Sequence, residues 1–231
     1  MQFTGLENVQ QIDQYILKKE ISRGGMGVVY LAEDIQLHRP TALKVILKQS
    51  ENDSTIGIKR FHREMEVMGK LSHPYVIQIY TAGMFQNNPY IAMEYVDGVP
   101  LLEYAQQLPE NDFISIAKLM QKILQAFSYI HSKQLVHRDV KSTNILVRPN
   151  GAPVVLDFGI AKAKDTKTLT ATGTIIGSLN MAPEQARGMT RNVNHQSDIY
   201  SIGTLLYEIL TKQPIVQANS FMELIKKIIF E

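Results

Sequence analysis

His137-Arg138-Asp139-Val140-Lys141-Ser142-Thr143-Asn144, followed thirteen residues after Asn144 by Asp157-Phe158-Gly159, is the stretch on which the reading of this chain turns. Asn144 stands five residues after Asp139, and the intervening sequence up to Asp157 reads as a hairpin. Ile145-Leu146-Val147 and Val154-Val155-Leu156 supply two short apolar strands, and Asn150-Gly151 is a strong turn signal. Upstream, Ile116, Ala117, Met120, Ile123, Leu124, Phe127 and Ile130 recur at i+3 and i+4 steps, which predicts a long helix with one buried face beginning near Phe113. Downstream, Asp198 opens an apolar helical segment through Leu210, and Phe221, Leu224, Ile225, Ile228 and Ile229 form an amphipathic stripe with nothing after it to pack against. Asp198 also fits a simple helix N-cap on local sequence.

The preceding part of the chain is richer in strand signals. Residues 15–19, 28–33, 41–47, 76–80 and 90–95 read as strands, and 58–71 as one helix carrying Phe61, Met65, Met68 and Leu71 at helical spacing. Asp97-Gly98 with Pro100 breaks the pattern and marks a boundary. Ser22-Arg23-Gly24-Gly25-Met26-Gly27 lies between the first two strands, where glycines allow a tight turn and close approach to phosphates; a purely structural hairpin has the same composition. Lys44 sits among apolar residues of the next strand and Glu64 on the following helix. Each alone is an ordinary charge on a solvated face, and together they could form a held ammonium that meets phosphate oxygens.

The chain has 231 residues, 45% hydrophobic and 20% charged, which suits one globular domain of ordinary composition, with room for two lobes, rather than a disordered or fibrous protein. Lys and Arg total 24 against 22 for Asp and Glu, so the net charge of +2 provides no general field for nucleic acid or an anionic membrane. No cysteine is present, so disulfides and thiolate metal sites are excluded, and a cytoplasmic location is the expectation. No apolar run reaches the length of a membrane span, and the first ten residues lack a signal-peptide pattern.

With these motifs in this order, and with Met181-Ala182-Pro183-Glu184 further on, the chain resembles the catalytic domain of bacterial-type serine/threonine protein kinases from about Tyr15 to Thr211. The bacterial flavour lies in Gly25-Met26-Gly27-Val28-Val29-Tyr30-Leu31-Ala32 and Pro183-Glu184-Gln185-Ala186-Arg187-Gly188. The resemblance implies an α+β bilobal fold. Residues 1–14 would be an N-terminal extension, 15–96 a small β-rich N-lobe with one main helix, and 97–231 a mostly helical C-lobe lacking its last helices.

It also implies ATP with Mg2+, or Mn2+ in its place, and protein substrates bearing Ser or Thr. Asp139 would orient the substrate hydroxyl and accept its proton, and Lys141 would steady the γ-phosphate. Lys44 would contact the α- and β-phosphates with Glu64 holding it, and Asn144 and Asp157 would ligate the metal. Ser22, Gly24, Gly27 and Val29 would cover the nucleotide. Ala42 would lie over the adenine, beyond which stands Met93, with the backbone of Glu94 and Val96 meeting its edge. Asp198 would brace the catalytic loop. Arg138 would wait for a phosphorylated activation segment, with Thr170 and Thr172 as the autophosphorylation positions.

Four departures from the family pattern stand out. Ser22 replaces the first glycine, and Ser142 replaces a usual proline. Ile176-Gly177-Ser178-Leu179-Asn180-Met181 is one residue short and lacks a tyrosine. The chain stops at Glu231, before helices that kinase domains usually add, which suggests a truncated C-lobe whose stripe at Phe221 to Ile229 takes a dimer mate or partner. The alternative to an active kinase is therefore a nucleotide-binding pseudokinase or scaffold. A small-molecule phosphotransferase is a third reading, disfavoured by Met181-Ala182-Pro183-Glu184.

Overall fold

The computed structural model describes residues 10–24, 27–46, 65–86, 88–157, 180–189 and 192–230. The chain divides into two compact units, one formed by the residues up to Ser72 with Ile77–Val96, the other by His73–Val76 with the residues from Asp97 onward.

The first unit is built on an antiparallel six-stranded sheet. Its strands are β1 (Gln11–Ile12), β2 (Tyr15–Gly24), β3 (Gly27–Asp34), β4 (Arg39–Ile46), β5 (Ile79–Phe85) and β6 (Asn88–Glu94), in the spatial order β1-β2-β3-β4-β6-β5. Alternation along the strands decides what is core. Val28, Tyr30 and Ala32 of β3, Leu43 and Val45 of β4, and Tyr90 and Ala92 of β6 form one buried cluster with Ile12 and Tyr15. Burying each large member contributes about 1.5–3 kcal/mol. Gln11–Ile12 belongs to this sheet, with Ile12 paired to Tyr15 and fully buried. The Tyr90 hydroxyl donates to the Asp13 carboxylate, and burial together with that carboxylate holds the phenol well above its ordinary range. Asp34 closes the β3–β4 turn by accepting from Gln36 N at 3.1 Å and Leu37 N at 3.3 Å.

The strand expected at 76–80 is split between two sheets. Pairing in this sheet starts at Ile79, while Val76 makes a single parallel bridge to Val155 of the second unit, whose N–H donates to Tyr75 O at 2.9 Å. A run of apolar residues cannot say which of two sheets takes each one. Of the helix expected over 58–71, only the last turn, from Met65, falls among the described residues.

The second unit holds a small antiparallel sheet of β7 (Val99–Pro100), β8 (Ile145–Val147) and β9 (Pro153–Val155), with β8 and β9 forming the hairpin read from sequence. Helix α1 (Leu101–Gln107), which the sequence reading missed, follows β7 directly. Helix α2 (Phe113–Ser132) starts at Asp112, whose carboxylate accepts from Ser115 N at 3.1 Å. Its buried stripe runs through Leu119, Met120, Ile123, Ala126, Phe127 and Ile130. Leu124, expected inside, is 45% exposed because the stripe is centred one position to the other side.

Helix α3 (Pro183–Ala186) is a single turn, and α4 (His195–Thr211) begins three residues before Asp198. The N-cap of α4 is Asn194, which accepts from Gln196 N at 2.8 Å, so the capping reading of Asp198 is excluded. Helix α5 (Phe221–Phe230) packs against α3 and buries Leu224 and Ile228, while Phe221, Ile225 and Ile229 are half-buried. The stripe expected to lie bare is thus largely covered by the chain itself. Among the described residues, no helix is long and apolar enough to cross a membrane.

Candidate active site

In the first unit, strand register gathers the expected nucleotide-binding residues on one face. Ser22 pairs with Val29, Val29 with Lys44, and Ala42 with both Leu31 and Met93. Directly paired residues in an antiparallel sheet point to the same side, so Ser22, Val29, Ala42, Lys44 and Met93 share the face opposite the buried cluster. Gly24 and Gly27 pair at the base of the glycine turn. Gly27 has φ +158°, and a Cβ there would come within 2.2 Å of Val45 O, so β3 and β4 approach as they do only with glycine. Glu94 pairs with Thr41 on the core side, and its N–H donates to Gln78 O at 2.9 Å. Val96 is buried. Gly25, Met26 and Glu64 lie outside the described residues.

In the second unit, the loop from His137 to Asn144 is held from three directions. His137 is fully buried between polar partners: Nε2 lies 2.6 Å from Leu156 O and Nδ1 accepts from Asp139 N at 3.3 Å. A carbonyl on one side and an N–H on the other fix the neutral Nε2–H tautomer, and burial lowers the pKa in the same sense. The second anchor is Asp198, only 1% exposed. Its Oδ2 accepts from His137 N at 2.8 Å and faces His131 Nε2 at 2.9 Å, while its Oδ1 accepts from Arg138 N at 2.9 Å. His131, on the last turn of α2, is a member of this network that the sequence reading passed over.

The third anchor is Ser142. Its hydroxyl accepts from Leu102 N at 2.8 Å, supplying the cap that Pro100 at the start of α1 lacks. The departure from proline therefore brings a contact of its own.

At the centre, Asp139 Oδ2 lies 3.2 Å from Lys141 Nζ and accepts from Asn144 Nδ2 at 3.0 Å; the same amide donates to Asp139 O at 2.8 Å. Two donors from Asn144 to Asp139 leave the amide oxygen as the part of that side chain suited to a cation. Leu156 N donates to Asn144 O at 2.8 Å, which sets Asn144 beside the residue preceding Asp157. Asp157 has φ +31° and Arg138 φ +67°, unusual for residues bearing side chains. An amide oxygen and a carboxylate are hard donors that fit Mg2+, which keeps waters and phosphate oxygens in its remaining positions. Among the described residues no three His, Asp or Glu side chains converge as a metal cage, and Mg2+ of this kind needs none.

Residues 15–231 match the model of the protein kinase domain. The chain belongs to the protein kinase domain family. Similar curated proteins include a probable serine/threonine-protein kinase PknB of Lactococcus lactis, 45% identical over 203 residues, covering 87% of this chain and 32% of that protein. The serine/threonine-protein kinase PrkC of Bacillus subtilis is 40% identical over 199 residues, covering 86% of this chain and 30% of that one. PknB of Mycobacterium tuberculosis is 37% identical over 209 residues, covering 87% and 33% respectively. The chain spans about a third of the length of these relatives. Family membership accounts for the α+β architecture, with a curled sheet in one unit and helices dominating the other.

Proposed function

We propose that this chain is the catalytic domain of a serine/threonine protein kinase that transfers the γ-phosphoryl group of ATP to Ser or Thr hydroxyls of proteins. The observation that carries the reading is the Asp139 carboxylate fixed by Lys141 and Asn144 in a loop anchored at His137, Asp198 and Ser142. Such a carboxylate is aimed before substrate arrives, which is where positioning lowers the barrier in phosphoryl transfer.

Asp139 orients the substrate hydroxyl and takes its proton, while Lys141 faces the charge that develops on the transferred group. Lys44 meets the α- and β-phosphates, with Glu64 in support. Ser22, Gly24, Gly27, Val29, Ala42, Met93, Glu94 and Val96 bind the rest of the nucleotide. Asn144 and Asp157 hold Mg2+, for which Mn2+ can substitute, and the bound ion supplies neutralising charge at the phosphates. Use of ATP supports a cytoplasmic location for the domain.

Arg138 Nε is buried with no hydrogen-bond partner among the described residues, which supports control by an added anion. Thr170 and Thr172, outside the described residues, are the proposed autophosphorylation positions. The test is incubation of the chain with Mg2+ and labelled ATP, then mass spectrometry of residues 164–178, beside an Asp139→Asn control. Phosphate on Thr170 or Thr172 in the wild type alone is expected. Equal labelling in the control would sink the role of Asp139, and nucleotide binding without any label would favour a scaffold.

A further inference from the structure

The side chain of Gln185 touches two backbones at once. Its Oε1 accepts from Ala182 N at 3.0 Å, and its Nε2 donates to Arg138 O at 2.9 Å. An N–H on one side and a carbonyl on the other fix the orientation of the amide. The first contact is the reach-back of an N3 residue to the N-cap N–H, which Glu performs as well as Gln and with a more favourable charge at a helix N-terminus. The second contact plays no part in capping, and only the amide NH2 can make it.

Arg138 O belongs to the peptide that leads into Asp139. With φ +67°, Arg138 occupies a conformation that persists only where the surroundings over-determine it. Asp198 holds the N–H of Arg138 from α4, and Gln185 holds its carbonyl from α3. The two contacts grip the residue at both ends, and rotation of the 138–139 peptide would swing the Asp139 carboxylate away from Lys141 and Asn144.

We infer that Gln185 is a positioning residue for phosphoryl transfer, setting the direction of Asp139 through the Arg138 carbonyl and tying the catalytic loop to the N-terminus of α3 at Ala182. The inference rests on the kinase reading of Asp139. Gln185→Glu separates the two contacts, because the carboxylate can still accept from Ala182 N but sets an acceptor against Arg138 O. Gln185→Met removes both.

The experiment measures label transfer at saturating ATP, the ATP concentration for half-maximal rate, the thermal midpoint, and amide exchange of peptides covering 137–140. For Gln185→Glu the expected result is a rate lower by about tenfold to a hundredfold, the range that misplacement of about 1 Å produces. The ATP half-saturation should stay within about twofold, since the nucleotide contacts are untouched. The thermal midpoint should fall by a few degrees, because the Arg138 carbonyl loses its donor, and exchange at 137–140 should quicken. Gln185→Met should show the same loss of rate with a lower midpoint. A wild-type rate in Gln185→Glu overturns the inference, as does a fall in rate accompanied by loss of the fold. If the wild type itself transfers no phosphate, the kinase reading fails separately, and exchange then decides: unchanged protection at 137–140 in Gln185→Glu overturns the positioning role.

Discussion

Replacing Asp198 by Asn tests how much the catalytic loop owes to one buried carboxylate. In the native protein three donors converge on its two oxygens: His137 N, Arg138 N and the His131 ring. Asn offers one oxygen and an NH2 of nearly the same shape, so little changes in packing. With either orientation of the amide, at least one backbone N–H faces another donor and is left buried without an acceptor, a loss of about 1–3 kcal/mol. The bonds that remain lose the assistance of the negative charge, which weakens them by roughly half. Together these give about 2–4 kcal/mol, a large share of the 5–15 kcal/mol typical of a folded protein. With a urea slope of about 2 kcal/mol/M, the midpoint followed by circular dichroism should fall by about 1–2 M at unchanged slope. Phosphoryl transfer should fall too, because the released N–H groups belong to the two residues before Asp139. A midpoint within about 0.2 M of wild type would refute the reasoning and show that water satisfies these groups.

Three further outcomes follow from single contacts. Ser142→Ala removes the acceptor for Leu102 N and should cost about 0.5–2 kcal/mol of stability, the usual worth of a helix cap, with Ser142→Thr recovering most of it in the same thermal melt. Gly27→Val drives a side chain into Val45 O and should destabilise the sheet by about 1–3 kcal/mol or more, weakening nucleotide binding measured by calorimetry; a variant as stable as wild type would contradict the close approach of β3 and β4. His137 is buried and neutral, with its pKa lowered by burial from the ordinary 6.5, so below that pH the unfolded chain takes up a proton that the folded chain refuses. Its contribution to stability should be complete above about pH 7 and shrink as pH falls, by up to about 1.4 kcal/mol per pH unit until the folded pKa is reached. His73, also lowered by burial, acts in the same direction, and chemical denaturation between pH 5 and 8, in wild type and His137→Gln, measures the share of each.

Sequence by itself determined the hairpin at Ile145 to Val155, the long helix from Phe113, and the strands around Val29 and Lys44, because each is a local pattern whose period or turn chemistry can be read in a short window. It also placed Asp139, Lys141 and Asn144 together, since positions five apart in one loop cannot stray far. Only the tertiary structure decided which acceptors hold that loop. The partners of Asp198 lie 60, 61 and 67 residues away, that of Gln185 lies 47 away, and the bond from Leu102 to Ser142 spans 40. No local period records such pairs. The same is true of the split at Val76, the outward turn of Leu124 and the cover over Leu224 and Ile228. An apolar residue signals that it will be buried, but its partner is chosen by how separate elements pack.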